Sequence, residues 1–143
     1  MASTQRGAAV ELRGLVKRYG EQTVVKDVSL SIAAGEFVTL LGPSGSGKTT
    51  TLMIMAGFVA PTDGRIVIDG RDVTDEPPYR RDIGVVFQSY ALFPHLTVFG
   101  NVAFPLEARG MRRRDIEPRV RKALDLVKLD AFADRYPSQL SGG

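Results

Sequence analysis

The residues best suited to chemistry in this 143-residue chain are concentrated in one loop, which reads Gly-Pro-Ser-Gly-Ser-Gly-Lys-Thr over positions 42–49. This loop matches the pattern G-x-x-x-x-G-K-[ST] at every position. Glycines let a backbone wrap closely around a phosphate, so that several N–H groups and a helix N-terminus point at one anion. Lys48 would add a positive charge for β- and γ-phosphates, and the Thr49 hydroxyl would be a Mg²⁺ ligand. The predicted phosphate-binding residues are Gly42, Pro43, Ser44, Gly45, Ser46, Gly47, Lys48, Thr49 and Thr50.

The segments on both sides of this loop are those that a phosphate loop needs. Phe37–Leu41 is a continuous apolar run, which predicts a strand covered on both faces. Lys48–Gly57 carries apolar residues and ends in glycine, as helices often do. A second apolar run at Ile83–Phe87 predicts another buried strand, followed by Gln88 and a loop. The sequence therefore predicts a strand-loop-helix unit with a second strand in the same sheet.

The remaining elements divide into strands before the loop and helices after it. Val10–Tyr19 and Val24–Ile32 predict half-buried antiparallel strands, and residues 66–70 predict a strand that ends in a hairpin turn. Thr97 is expected to cap a helix that runs toward Arg109. Apolar residues at helical spacing predict an amphipathic helix over Asp115–Lys128.

Composition indicates one soluble globular domain and excludes several classes. Nineteen Lys and Arg against sixteen Asp and Glu leave a net charge of +3, with the two signs mixed along the chain, so we expect no nucleic-acid partner. The absence of cysteine excludes disulfides and thiolate chemistry. Residues 1–9 are polar and small, which predicts a flexible tail and not a secretory signal. The longest apolar stretch, residues 52–60, is far shorter than the roughly 20 residues of a membrane-spanning helix.

Four features in a fixed order resemble the ATP-binding-cassette (ABC) ATPases over nearly the whole chain. They are Tyr19 in Lys-Arg-Tyr-Gly, the loop at 42–49, Gln88 after Val-Val-Phe, and the closing Leu-Ser-Gly-Gly at 140–143. The resemblance implies an α/β fold: a P-loop NTPase core with an incomplete parallel sheet, an antiparallel β-subdomain and a helical subdomain. It implies one ABC ATPase domain over residues 10–143, truncated at the Leu-Ser-Gly-Gly motif.

The resemblance also assigns roles to single residues. Tyr19 looks like the platform on which the adenine base stacks. Gln88 looks like the loop glutamine that reaches Mg²⁺ and orients the attacking water, so Gln88 and Lys48 are the candidate catalytic residues, and Thr49 and Gln88 the metal ligands. Ser141, Gly142 and Gly143 look like the hallmark that caps the γ-phosphate held by a second ATPase subunit in a head-to-tail dimer. His95 does not match the family's switch histidine, and we reject it as a catalytic base.

The resemblance places further catalytic groups after the hallmark, namely an Asp-Glu pair and the switch histidine. The 143 residues end at Gly143. We therefore expect these residues alone to bind ATP and Mg²⁺ without hydrolysing ATP, because phosphoryl transfer depends on the positioning of water and metal. We read the chain as a truncated gene product or fragment.

The implied function is ATP-driven import of a small solute. Residues 88–98 and 101–106 resemble the importer branch that handles polyamines, ferric iron, sugars or phosphonates, with spermidine and putrescine the first expectation. The implied partners are membrane-spanning permease subunits, a second ATPase subunit and, indirectly, a periplasmic or extracellular solute-binding protein. The implied location is peripheral, on the cytoplasmic face of the inner membrane. Two alternatives from other classes are a P-loop kinase and a soluble cassette protein acting on nucleic acid or ribosomes.

Overall fold

A computed structural model describes residues 7–140. The chain forms two compact units, one extending to Val85 and the other beginning at Val86. Within residues 7–140, the first unit contains a β-sheet and one α-helix, and the second contains two α-helices. No helix in the described part of the chain is long and apolar enough to cross a bilayer.

The sheet of the first unit has four antiparallel strands in the order β2-β1-β3-β4. These are β1 (Val10–Tyr19), β2 (Gln22–Ile32), β3 (Asp63–Ile68) and β4 (Arg71–Asp72). The predicted antiparallel strands are therefore confirmed, and so is the hairpin turn at 69–70. One face of the sheet is buried by a set of apolar side chains, namely Leu12, Leu15, Val25, Ile54, Ile66 and Val73.

A bulge in β1 keeps two core leucines on the same face of the sheet. Leu12 and Leu15 are three positions apart, a spacing that would send them to opposite faces of a regular strand. The register with β2 shifts between them, and Gly14 takes the left-handed conformation with φ of 59°. Its N–H donates to Ser29 Oγ at 2.9 Å. The extra residue therefore lets both side chains enter the core.

Helix α1 (Lys48–Ala56) begins at the end of the glycine-rich loop and ends at Gly57. Gly57 has a φ of 84°, and its N–H donates to Ile54 O at 3.1 Å, which closes the helix as predicted. Ile54 is fully buried in the core of the unit. Packing of α1 against the sheet therefore fixes where the loop that precedes it can lie.

The second unit packs α2 (Val98–Ala108) against α3 (Arg113–Leu126). Thr97 Oγ1 accepts from Gly100 N at 3.1 Å, which confirms Thr97 as the cap of α2. Helix α3 begins two residues earlier than the predicted helix and ends two residues earlier. The buried residues are those of the apolar face and its neighbours, namely Val98, Ala103, Ile116, Val120, Leu124 and Ala133.

Two predicted strands are absent from this structure. No strand is assigned at Phe37–Leu41 or Ile83–Phe87, and Phe37 and Val86 are 92% and 100% exposed. A strand is defined by hydrogen bonds to a neighbouring strand, and the only sheet among residues 7–140 is the antiparallel one. The apolar runs were identified correctly, but neither pairs with a strand of the sheet formed by the described residues.

Candidate nucleotide site

The loop at 42–47 closes around the ammonium group of Lys48. The Nζ atom donates to Gly42 O at 2.8 Å, to Pro43 O at 2.7 Å and to Ser46 Oγ at 3.2 Å. Ser46 N also donates to Pro43 O at 3.3 Å, which tightens the turn. Lys48 has no carboxylate among these contacts, so its charge is held by neutral oxygens that an anionic oxygen can replace.

Two glycines of the loop are required by its backbone. Gly45 and Gly47 have φ values of 78° and 87°, a region that residues with a Cβ rarely enter. At Gly47 a Cβ would also lie 2.6 Å from Val24 O on β2. The loop therefore packs against the sheet at Gly47, while around Gly45 nothing lies within 4 Å of the Cβ position.

The first turn of α1 supplies unpaired backbone donors beside Lys48. No side chain caps this helix, and its first turn contains no acidic residue. Thr51 is buried and donates its hydroxyl hydrogen to Gly47 O at 2.9 Å, whereas Thr49 is exposed. Open N–H groups and the positive end of a helix dipole favour an anion at this position. The local geometry therefore fits phosphate, and the role of Thr49 as a Mg²⁺ ligand stays a prediction.

A cavity of about 500 Å³ lies between this loop and β2. It is lined by Gly45, Ser46 and Thr51 on one side and by residues of β2 on the other, beginning at Gln22. Gln22 is paired across the sheet with Tyr19. The cavity therefore extends from the loop toward the end of β1, where sequence analysis predicts the base platform.

Tyr19 is the last residue of β1 and is 51% exposed. Lys17 Nζ lies 4.9 Å from the centroid of the ring and donates to Ala60 O at 2.7 Å. The ring is thus partly covered and partly free, as a stacking platform must be. The base-binding role of Tyr19 stays a prediction.

Gln88 lies in the second unit, in an exposed turn after the apolar run. The next residues include two non-glycine positions in the left-handed region, Tyr90 with φ of 63° and Ala91 with φ of 50°. Such backbone is uncommon outside functional or tightly determined loops. The metal and water roles of Gln88 stay predictions. His95 is exposed in the same loop, 6.0 Å between ring centroids from Phe93.

One asparagine that sequence analysis did not single out organises this loop. Asn101 Oδ1 accepts from Phe93 N at 2.8 Å, and Asn101 Nδ2 donates to the carbonyl oxygens of Phe93, Leu96 and Thr97 at 3.0 to 3.1 Å. Phe93 also packs on Phe104, with ring centroids 4.5 Å apart. The end of the loop is therefore attached to α2. The sequence offers one indication of this role for Asn101, namely that it is a polar residue in the first turn of a helix.

A second residue that sequence analysis missed is Arg81, which is buried and supports the end of α1. Its guanidinium donates to Ile54 O at 2.8 Å, Met55 O at 2.9 Å, Glu76 O at 2.8 Å and Thr74 O at 3.1 Å. Burial is the main cause that lowers the pKa of Arg81, and nearby Glu76 opposes that shift. A cation at a helix C-terminus is also favourable to the helix dipole. Arg81 therefore fixes the helix whose other end forms the phosphate loop.

The hallmark residues Ser141, Gly142 and Gly143 lie outside the described residues. The segment just before them forms a short 3-10 helix, Pro137–Gln139. Tyr136 N donates to Gln139 Oε1 at 2.8 Å at the start of this helix. The role predicted for the hallmark stays a prediction.

The loop and the helix that follows it place the chain in the class of P-loop nucleotide-binding proteins, and a comparison of folds agrees. The structure superimposes on the dimeric ATP-binding cassette MJ0796, solved in a post-hydrolysis state bound to ADP and Pi, with a TM-score of 0.81 and 38% sequence identity. The match covers 93% of this chain and 63% of that chain. The predicted α/β fold class is thereby confirmed.

The family follows from the sequence comparison. The family model described as ABC transporter matches residues 25–143, and the chain belongs to this family. It is 54% identical over 136 residues to the spermidine/putrescine import ATP-binding protein PotA of Nitrosomonas eutropha, and 56% identical over 138 residues to PotA of Rubrobacter xylanophilus. These matches cover 95% and 96% of this chain. The chain spans only 38% and 37% of the length of these two relatives.

Proposed function

We propose that residues 42–50 bind the phosphates of Mg-ATP and that the chain is the nucleotide-binding segment of an import ATPase. The single observation that carries this proposal is the position of Lys48 Nζ, held inside the glycine-rich loop at the start of an uncapped helix. Membership in the ABC transporter family implies ATP as the nucleotide. Because the chain belongs to the ABC transporter family, the alternative of a P-loop kinase is set aside.

The loop can exchange its internal contacts for contacts with phosphate. Lys48 donates three bonds to neutral oxygens, and a β- or γ-phosphate oxygen is a stronger, charged acceptor. The open N–H groups of the first turn of α1 donate to the same anion. Mg²⁺ would neutralise phosphate charge, and Thr49 would hold it there. In this arrangement the loop backbone would position the phosphates, and Lys48 would neutralise part of their negative charge.

The activity of the whole protein extends this proposal. Relatives more than 50% identical are named spermidine/putrescine import ATP-binding proteins, which supports polyamine import as the first assignment. Ferric iron, sugar or phosphonate import are the alternatives that the sequence resemblance leaves open. Gln88 and the Ser141–Gly143 hallmark would complete an ATP site in a dimer of ATPase subunits. The loop after Gln88 would contact membrane-spanning permease subunits, on the cytoplasmic face of the membrane.

Replacement of Lys48 by alanine tests the phosphate site. Lys48→Ala removes a charge-assisted contact of about 1.5 to 3 kcal/mol, so we expect the Kd for Mg-ATP to rise by roughly ten-fold or more. Isothermal titration calorimetry of the full chain gives both constants. Lys122→Ala, an exposed lysine on α3, is the matched control and should keep the original affinity. Equal affinity in the Lys48 variant and the control would refute the phosphate site.

A further inference from the structure

The Lys17 side chain occupies a defined position against Tyr19. Both residues lie near the end of β1, two positions apart, where side chains of a strand share a face. Lys17 Nζ is 4.9 Å from the ring centroid of Tyr19, within the range of a cation–π contact. Lys17 is half-buried, whereas Tyr19 is half exposed. One side of the ring is thus in contact with the ammonium.

This ammonium is anchored to a second segment of the chain. Lys17 Nζ donates to Ala60 O at 2.7 Å, in the connection between α1 and β3. The same connection holds the backbone of β1, because Thr62 N donates to Val16 O at 2.8 Å and Arg18 N donates to Thr62 Oγ1 at 3.0 Å. The connection starts where α1 ends, so it links the end of β1 to the helix that begins at the phosphate loop.

We propose that Lys17 is a positioning residue for the nucleotide base. Its ammonium, fixed on Ala60 O, closes one face of the Tyr19 ring and sets the ring orientation, so that a base stacks only on the remaining face. The inference rests on the proposed function, since it requires a nucleotide whose phosphates lie in the loop. Lys17 then acts through Tyr19 and makes no contribution to phosphate binding.

The competing role for a lysine beside a nucleotide is direct contact with phosphate. The two roles are separated by a ligand that has phosphates but no base. Inorganic tripolyphosphate with Mg²⁺ is such a probe, and ATP and GTP are the ligands with a base. If Lys17 acts on the base through Tyr19, its replacement changes the affinity for nucleotides and leaves the affinity for tripolyphosphate unchanged.

The test measures the Kd of all three ligands for Lys17→Met, Lys17→Arg and the neighbouring control Arg18→Met, each in the full chain. We expect Lys17→Met to weaken the binding of ATP and GTP by about two- to five-fold. This is the change in affinity that corresponds to the strength of one exposed cation–π contact. Lys17→Arg should restore both affinities, because a guanidinium also stacks on an aromatic face. Arg18 has an exposed side chain, and its replacement should change nothing.

A second measurement repeats Lys17→Met in a Tyr19→Ala background, where it should have no further effect on ATP. An equal loss for tripolyphosphate, an unchanged affinity for ATP, or a further loss without Tyr19 would each overturn the inference. Retained tripolyphosphate binding shows that the variant is folded. Failure of the proposed function is recognised separately, because Lys48→Ala would then leave tripolyphosphate binding unchanged.

Discussion

At the scale of single residues, different residues provide the charge of the site and the shape of its backbone. Lys48 supplies the charge, held by three neutral oxygens at 2.7 to 3.2 Å. Gly45 and Gly47 supply the shape, since both need a backbone conformation that other residues rarely adopt. Tyr19 offers an aromatic face on which a base can stack. These differences predict different consequences when each residue is replaced.

Replacement of Tyr19 by alanine should weaken the binding of ATP and of GTP to the same extent. Stacking of a base on an aromatic ring contributes about 1 to 3 kcal/mol and tolerates any base, so both affinities should fall by a similar factor. Equilibrium binding of the two nucleotides measures this, with Tyr19→Phe as the variant that keeps the ring and Tyr79→Ala as an exposed control. Loss of only one of the two nucleotides would show that Tyr19 reads the base in another way.

The residue types at 42–49 were sufficient to predict the loop, because its glycines, lysine and threonine are local and contiguous. Asn101 and Arg81 were not predictable in the same way. Arg81 binds carbonyl oxygens of residues 54 and 55, which are near it only after α1 has packed on the sheet. Asn101 binds residues 93 to 97, and its function depends on the path of that loop. Both contacts are products of the fold.

At the scale of elements, residue types predicted helix boundaries correctly where a single residue is enough to start or end a helix. Thr97 caps α2, and Gly57 ends α1, as their residue types predict. Phe37–Leu41 and Ile83–Phe87 were different, because an apolar run becomes a strand only by pairing with another strand. No strand among the described residues pairs with either segment. Periodicity indicates apolar segments but does not supply their neighbours.

Helix α1 is the element that positions the loop, and Arg81 is the residue that holds its far end. Arg81→Ala would leave four carbonyl oxygens without their donor, so we expect the free energy of unfolding of the first unit to fall by about 3 kcal/mol. Urea denaturation followed by circular dichroism measures the change. Arg80→Ala replaces the exposed neighbour and serves as control. Indistinguishable unfolding of the two variants would contradict a structural role for Arg81.

At the scale of the molecule, the chain has two compact units that carry different parts of the predicted site. The first contains Tyr19 and the phosphate loop, and the second contains Gln88 and the approach to the hallmark. The chain also spans only 38% of the length of its relative from Nitrosomonas eutropha. The first unit alone therefore holds every group that the proposal assigns to the initial binding of Mg-ATP.

Amide NMR of the labelled full chain during titration with Mg-ATP tests this central claim most directly. We expect saturable shifts at residues 42–50 and at Tyr19, with the amides of α3 (Arg113–Leu126) unchanged. Tripolyphosphate should reproduce the shifts at 42–50 and leave Tyr19 unaffected, because it has no base to stack. Saturable shifts confined to α3 or to other residues outside the loop, with residues 42–50 unchanged, would contradict the account.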